Sequence, residues 1–152
     1  MKKLCILTLA ALFCLPLFSA LAEITTEGVY TFEIPDDGEP GTATLLRYSG
    51  TQTAELSLPL WCRDYPVTAI GEGAFQNHSE LTGVGIPARI ASIGASAFEG
   101  CENLTSVEIP ANVTALSARA FAGCTSLMTI LGPAGGSTQV WAVGQHFLFI
   151  AE

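Results

Sequence analysis

The chain repeats itself every 23 residues. Ala74-Phe75, Ala97-Phe98 and Ala120-Phe121 recur at that spacing, as do Leu81, Leu104 and Leu127. The same interval separates Val67, Ile90 and Val113, then Ile70, Ile93 and Leu116, then Val84, Val107 and Ile130, and finally Pro87, Pro110 and Pro133. A unit this short cannot bury an apolar face alone, but stacked on copies of itself it can. A fixed period in this range therefore marks a solenoid, in which each repeat packs only on its neighbours. The fold class expected is mainly β with short helical turns, the coils running over residues 67–135.

Within a repeat, Leu-x-x-Val-x-Ile-Pro reads as a strand. Leu104, Val107 and Ile109 face inward, Thr105, Ser106 and Glu108 face outward, and Pro110 stops it. A second short extended piece follows at Val/Ile-x-x-Ile/Leu, and Gly71 and Gly94 permit the bend after it. The Ala-Phe pair then sits on a short helical turn, where Ala lets coils approach and Phe fills the middle. The third repeat departs from the pattern, with Ser117 in place of the glycine and Leu131-Gly132 before its proline.

The ends differ from the repeats. Gly28 to Ile34 alternates, with Tyr30, Phe32 and Ile34 on one side, which suggests a half-buried strand. Pro35 to Gly41 is dense in turn formers. Thr42–Tyr48, with Leu46 and Tyr48 on one face, and Ala54–Leu58 read as two more strands. Residues 23–66 are expected to form an antiparallel β cap and the loop that leads into the repeats. Residues 136–152 are expected to form a helical cap, with Ser137 as N-cap and a last strand over Phe147–Ile150. A solenoid exposes apolar surface at both ends, so atypical terminal units are needed there.

Residues 1–22 read as a secretory leader. Lys2 and Lys3 precede an apolar run, Leu4 to Leu21, and Ala20-Leu21-Ala22 is a small-x-small cleavage site. A retained membrane anchor is the rival reading; the cleavage site and the acidic stretch after it favour removal. Lipoprotein processing is disfavoured by Phe13 before Cys14. No later apolar segment is long enough to span a bilayer. From Glu23 onward four arginines meet 14 acidic residues with no lysine, a net charge of −10. Such a surface argues against nucleic acid and anionic membranes as partners. It favours solubility and suits cationic or cation-bridged partners.

No constellation for catalysis or cofactor binding emerges, so the chain is read as a non-enzyme without cofactor. The only histidines, His78 and His146, lack neighbours at zinc-ligand spacing. No Ser lies in a Gly-x-Ser-x-Gly elbow, and Gly132, Gly135 and Gly136 precede no Lys. Three tripeptides fit the N-glycosylation sequon, beginning at Asn77, Asn103 and Asn112, but two of them fall out of the repeat itself. Cys101 and Cys124 share one repeat position, and ladder side chains point in parallel, so both are expected to be buried and reduced, and Cys62 free.

The run Ile93-Gly94-Ala95-Ser96-Ala97-Phe98-Glu99-Gly100-Cys101, continued by Leu104, Val107 and Ile109-Pro110, resembles the BspA-like leucine-rich repeats of bacterial surface proteins. Tyr65 to Gly71 is similar to the family's usual lead-in, and Gly136-Ser137 with Trp141-Ala142 to its usual exit. The first repeat departs at Asn77-His78, where Gly-Cys is usual. The resemblance implies a right-handed leucine-rich-repeat solenoid on a secreted or cell-surface protein. It also implies binding to proteins, host extracellular proteins among them, and it supplies no catalytic residues. The outward strand positions Thr82, Gly85, Thr105, Ser106, Glu108, Met128 and Thr129 are the candidate binding surface. Trp61 and Tyr65, beside Cys62, form a second candidate patch or pack under the connection. The alternative to a binding module is a structural spacer or assembly unit of the cell envelope without its own ligand.

Overall fold

The computed structural model describes residues 22–34, 41–51 and 55–151. Residues 1–21 of the expected leader, residues 35–40 of the turn expected over Pro35–Gly41, residues 52–54 and Glu152 lie outside the described residues.

β1 (Glu23–Glu27), β2 (Tyr30–Ile34) and β3 (Ala43–Tyr48) form an antiparallel meander. The alternation expected in β2 is present: Phe32 and Ile34 are buried, while Thr31 and Glu33 are half-buried. In β3 the expected pairing of Leu46 and Tyr48 on one face is corrected. Thr31 pairs with Arg47 and Phe32 with Leu45, so Leu46 bulges out of the ladder. The extra residue breaks the period of two. Ala43, Leu45 and Tyr48 are buried, and Leu46 is only half so.

A second correction concerns the stretch to Pro59, expected to be one antiparallel sheet. β4 (Glu55–Ser57) leaves the meander and lies parallel to a repeat strand, β7 (Gly83–Gly85), while β3 lies parallel to β6 (Tyr65–Ile70). Alternation gives a strand its faces and says nothing of its neighbours. The residues before the first repeat thus already form a coil, with one strand in each of two sheets. β5 (Trp61–Cys62) folds back on β6 as a short hairpin.

The coils add β8 (Ser92–Ile93), β9 (Ser106–Glu108), β10 (Ala115–Leu116), β11 (Thr129–Gly132) and β12 (Leu148–Ala151), with one helix, α1 (Ser137–Gly144). The first sheet runs β1-β2-β3-β6-β8-β10, and the second runs β12-β11-β9-β7-β4. Ile70, Ile93 and Leu116 are in register, as are Val84, Val107 and Ile130. Residues one period apart in sequence are therefore neighbours in space. The turns carry a third ladder, in which Phe75 N–H donates to the Ala97 carbonyl at 2.7 Å and Phe98 N–H to that of Ala120 at 2.8 Å. The coils are tied on all their sides.

An aromatic column fills the middle. Phe75, Phe98 and Phe121 stack with ring centroids 4.9 and 5.1 Å apart and planes within 4°. The column continues beyond the repeats to Tyr48, 5.4 Å from Phe75, and to Trp141, edge-on at 5.7 Å from Phe121. Side chains staple each coil to the one before. Cys101 and Cys124 are free, buried thiols that donate to the carbonyls of Phe75 and Phe98, at 3.1 and 3.0 Å. The Cys124 sulfur beside it, and then burial, hold the Cys101 thiol protonated far above the usual thiol range. His78 fills the same role one coil earlier, its Nε2 donating to the Tyr48 carbonyl at 2.9 Å. The Asn103 and Asn112 side-chain amides donate to Ser79 and Ala88, so these two sequon asparagines are spent on stacking.

The expected role of Gly94 in a bend is also corrected: its backbone is ordinary, and the need is close approach. A Cβ there would lie 2.8 Å from Glu72 N and 2.9 Å from the carbonyl carbon of Gly71. The left-handed backbone lies instead at Gly73 and Ser96, two residues after Gly71 and Gly94, at φ +64° and +54°, and again at Asn77, Gly100 and Gly123, at +64°, +73° and +72°. At the other end Gly136, not Ser137, is the N-cap of α1. The Ser137 hydroxyl donates to the Val113 carbonyl at 2.8 Å and so serves as another staple.

Candidate binding surface

The second sheet, five parallel strands in regular register, presents one continuous face. Val84, Val107 and Ile130 point into the core, so the residues on either side of each point out. Pairing arranges those residues in rows. Gly83, Ser106, Thr129 and Leu148 form one row; Ser57, Gly85, Glu108, Leu131 and Ile150 form the next. Thr82, Thr105 and Met128 each precede a strand by one residue and flank the first row, all three exposed. The structure thus gathers Thr82, Gly85, Thr105, Ser106, Glu108, Met128 and Thr129 on one face. Its chemistry is graded: glycine on β7, Ser106 and Glu108 on β9, then Thr129 and Leu131 on β11, ending in exposed leucine and isoleucine on β12. Thr105 has a structural duty as well, since its hydroxyl donates to the Thr82 carbonyl at 3.0 Å.

Trp61 and Tyr65 do not join that face. They lie on the β5–β6 hairpin, whose ladder belongs to the first sheet. Trp61 is exposed and carries the Arg89 guanidinium over its ring, 4.4 Å from the centroid. Arg63 at the hairpin turn grips β1: its guanidinium meets both oxygens of Glu23 at 3.1 Å and the Thr25 hydroxyl at 2.9 Å. Its backbone N–H donates to Glu27. The hydrogen bond and charge of Glu23 raise the Arg63 pKa still further. Cys62 lies buried beneath, and burial, with Glu27 close by, pushes its thiol up.

The histidines are apart. His78 meets the Tyr48 ring at a tilt, with centroids 4.9 Å apart, and places Nδ1 2.5 Å from Glu80 Oε1, whereas His146 sits after α1 at φ +66°. Among the described residues no three of His, Cys, Asp and Glu gather as a metal site would need. The first sheet's outer side holds a shallow groove of small residues, Ala69, Gly71, Ser92, Gly94 and Ala115. None of these brings a nucleophile beside a base.

Sequence reading missed the apolar end of the rows, Leu131, Leu148 and Ile150, and the Arg89 partner of Trp61. The period could not place β12, because Thr129 pairs with Leu148 and not with a residue one repeat away. The hydropathy of Leu148-Phe149-Ile150 was the usable signal.

A family model described as the BspA type leucine rich repeat region matches residues 60–139 in six copies. No curated protein matches the chain. Among solved structures, a leucine-rich repeat protein from Bacteroides capillosus ATCC 29799 is 38% identical with a TM-score of 0.57, over 74% of this chain and 84% of that one. A leucine rich cell surface protein from Faecalibacterium prausnitzii A2-165 is 27% identical with a TM-score of 0.52, over 87% of this chain but 31% of that one. The leucine rich repeat protein of T. pallidum shares the fold, with a TM-score of 0.62 at 24% identity, over 86% of this chain and 65% of that one. Motif, stacked coils and neighbours agree, and the chain belongs to the BspA-type leucine-rich repeat family.

Proposed function

We propose that this protein is a non-enzymatic binding module, exported after cleavage behind Ala22, that holds a protein partner at or near the bacterial cell surface. The observation that carries this is the outward face of the second sheet. Its core positions are taken by Val84, Val107 and Ile130, and its outward rows are left to residues on which stacking makes little demand. Similarity to a cell surface protein supports the location. No helix among the described residues is long and apolar enough to cross a membrane.

The test is capture of extracellular-matrix and envelope proteins by the exported chain, compared with a Ser106→Arg/Glu108→Arg variant. Surface changes of this kind cost about 0.5 kcal/mol or less each, so the variant should unfold at the same denaturant concentration while losing its partner. Binding that survives in this variant but is lost in Trp61→Ala would move the site to the β5–β6 hairpin. A chain that captures nothing would favour the spacer reading. N-terminal sequencing of the same material should begin at Glu23; an intact Met1 would refute export by cleavage.

A further inference from the structure

The second sheet ends in an open strand. β12 pairs with β11 on one side and with no strand on the other among the described residues. Open edges invite pairing, and folded chains guard them with charge, proline or a bulge. β1, the outermost strand of the first sheet, is guarded in this way by Glu23 and Glu27, with Arg63 across it. β12 is Leu-Phe-Ile-Ala, with no charge, proline or bulge within it.

Its surroundings are equally unusual. Residues 120–151 contain no Asp, Glu, Lys or Arg, whereas Glu23 to Arg119 holds 13 acidic residues and four arginines. Exposed apolar side chains concentrate at the same end. Met128 is 74% exposed, Leu148 61% and Ile150 44%, and on α1, which packs against β12, Val140 is 74% and Val143 60%. Contiguous exposed apolar surface marks an interaction site. Two copies of this acidic chain repel each other over most of their surface, and this end, where Glu152 is the one charged side chain after Arg119, is where they can meet with the fewest opposing charges.

The strand is also complementary to itself. In an antiparallel pair centred on Phe149, Leu148 lies opposite Ile150 of the second copy on the outward face, and Phe149 lies opposite its own equivalent on the core side. We infer that β12 is a homodimerisation strand, through which two copies join edge to edge about a twofold axis. The five-stranded second sheet then continues into that of the second copy. The contact uses the same patch on both copies, so it closes on itself and does not propagate into a filament. Leu148, Ile150 and the α1 valines are its apolar centre.

Sedimentation equilibrium of the purified exported protein should give a dimer at micromolar concentration. Leu148→Lys with Ile150→Lys should weaken it at least about tenfold and leave the unfolding midpoint in place, since both side chains are exposed. Ile24→Lys on β1 should change nothing. The register has its own test: mixed Leu148→Cys and Ile150→Cys proteins should cross-link to each other faster than either does to itself. The inference is overturned by a wild-type monomer in that range, by a dimer that survives both lysines, by one that Ile24→Lys breaks, or by cross-linking without the register preference. Should the lysine variant not fold, the smaller, uncharged cysteine pair decides.

Discussion

Phe98 is the residue whose removal tests the stacked architecture most directly. It is fully buried, with Phe75 on one side and Phe121 on the other, both nearly parallel to it. Truncating a buried Phe to Ala costs about 3–5 kcal/mol through lost transfer energy and the cavity left behind. Stacked aromatic pairs add roughly 0.5–1.5 kcal/mol each, and Phe98 loses two of them, so Phe98→Ala should fall at the upper end, near 5 kcal/mol. Against the ~5–15 kcal/mol that holds a typical domain together, this is a loss of a third or more. The assay is urea unfolding of the purified protein followed by far-UV circular dichroism, with the slope checked for a change in cooperativity. A cycle sharpens the test. Phe75 and Phe121 touch Phe98 but lie on opposite sides of it, so Phe75→Ala and Phe121→Ala should add, while either combined with Phe98→Ala should not. A loss below about 1 kcal/mol, or additivity throughout, would refute the continuous column.

Two further outcomes follow from the staples. Thiol counting on unfolded, non-reduced protein should find Cys62, Cys101 and Cys124 all free; a count of one would establish a disulfide. The hydrogen bond from His78, against a smaller opposing effect of burial, holds the Glu80 carboxyl below its ordinary value of 4.5. Its folded pKa being depressed, Glu80 contributes stability that is complete above that value and lost as pH falls through the folded pKa. Glu80→Gln should flatten that part of the acid-unfolding curve, and an unchanged acid limb in urea titrations between pH 7 and 3 would show that the pair does not support the fold.

The period fixed the interior because solenoid stacking converts sequence spacing directly into contact. Phe75, Phe98 and Phe121, and Val84, Val107 and Ile130, were legible for that reason, and so were the outward residues between them. Two apparent departures in the first repeat prove to be chemical equivalents. Asn77 stands at the left-handed position that Gly100 and Gly123 hold, and asparagine is among the few side chains that tolerate it. His78 stands for cysteine as the donor to a carbonyl of the preceding coil, and adds a contact to Glu80 that cysteine cannot make. What the period could not reach were the ends, where there is no next copy to count from. Tyr48 extends the aromatic column from a strand bulged at Leu46, and Trp141 extends it from a helix, so neither lies a whole number of repeats from Phe75. The candidate binding face has the same limit. Its middle is set by repeat positions, but its apolar border comes from β12, a strand placed by the turn after α1. A stack of identical units specifies its own interior and leaves its last surface to residues outside the pattern. That surface is where the open strand, the exposed leucine and isoleucine, and an uncharged run from Ala120 to Ala151 coincide, so the proposed encounter with a second copy falls at the end of the coil, while the proposed binding of another protein falls on its face.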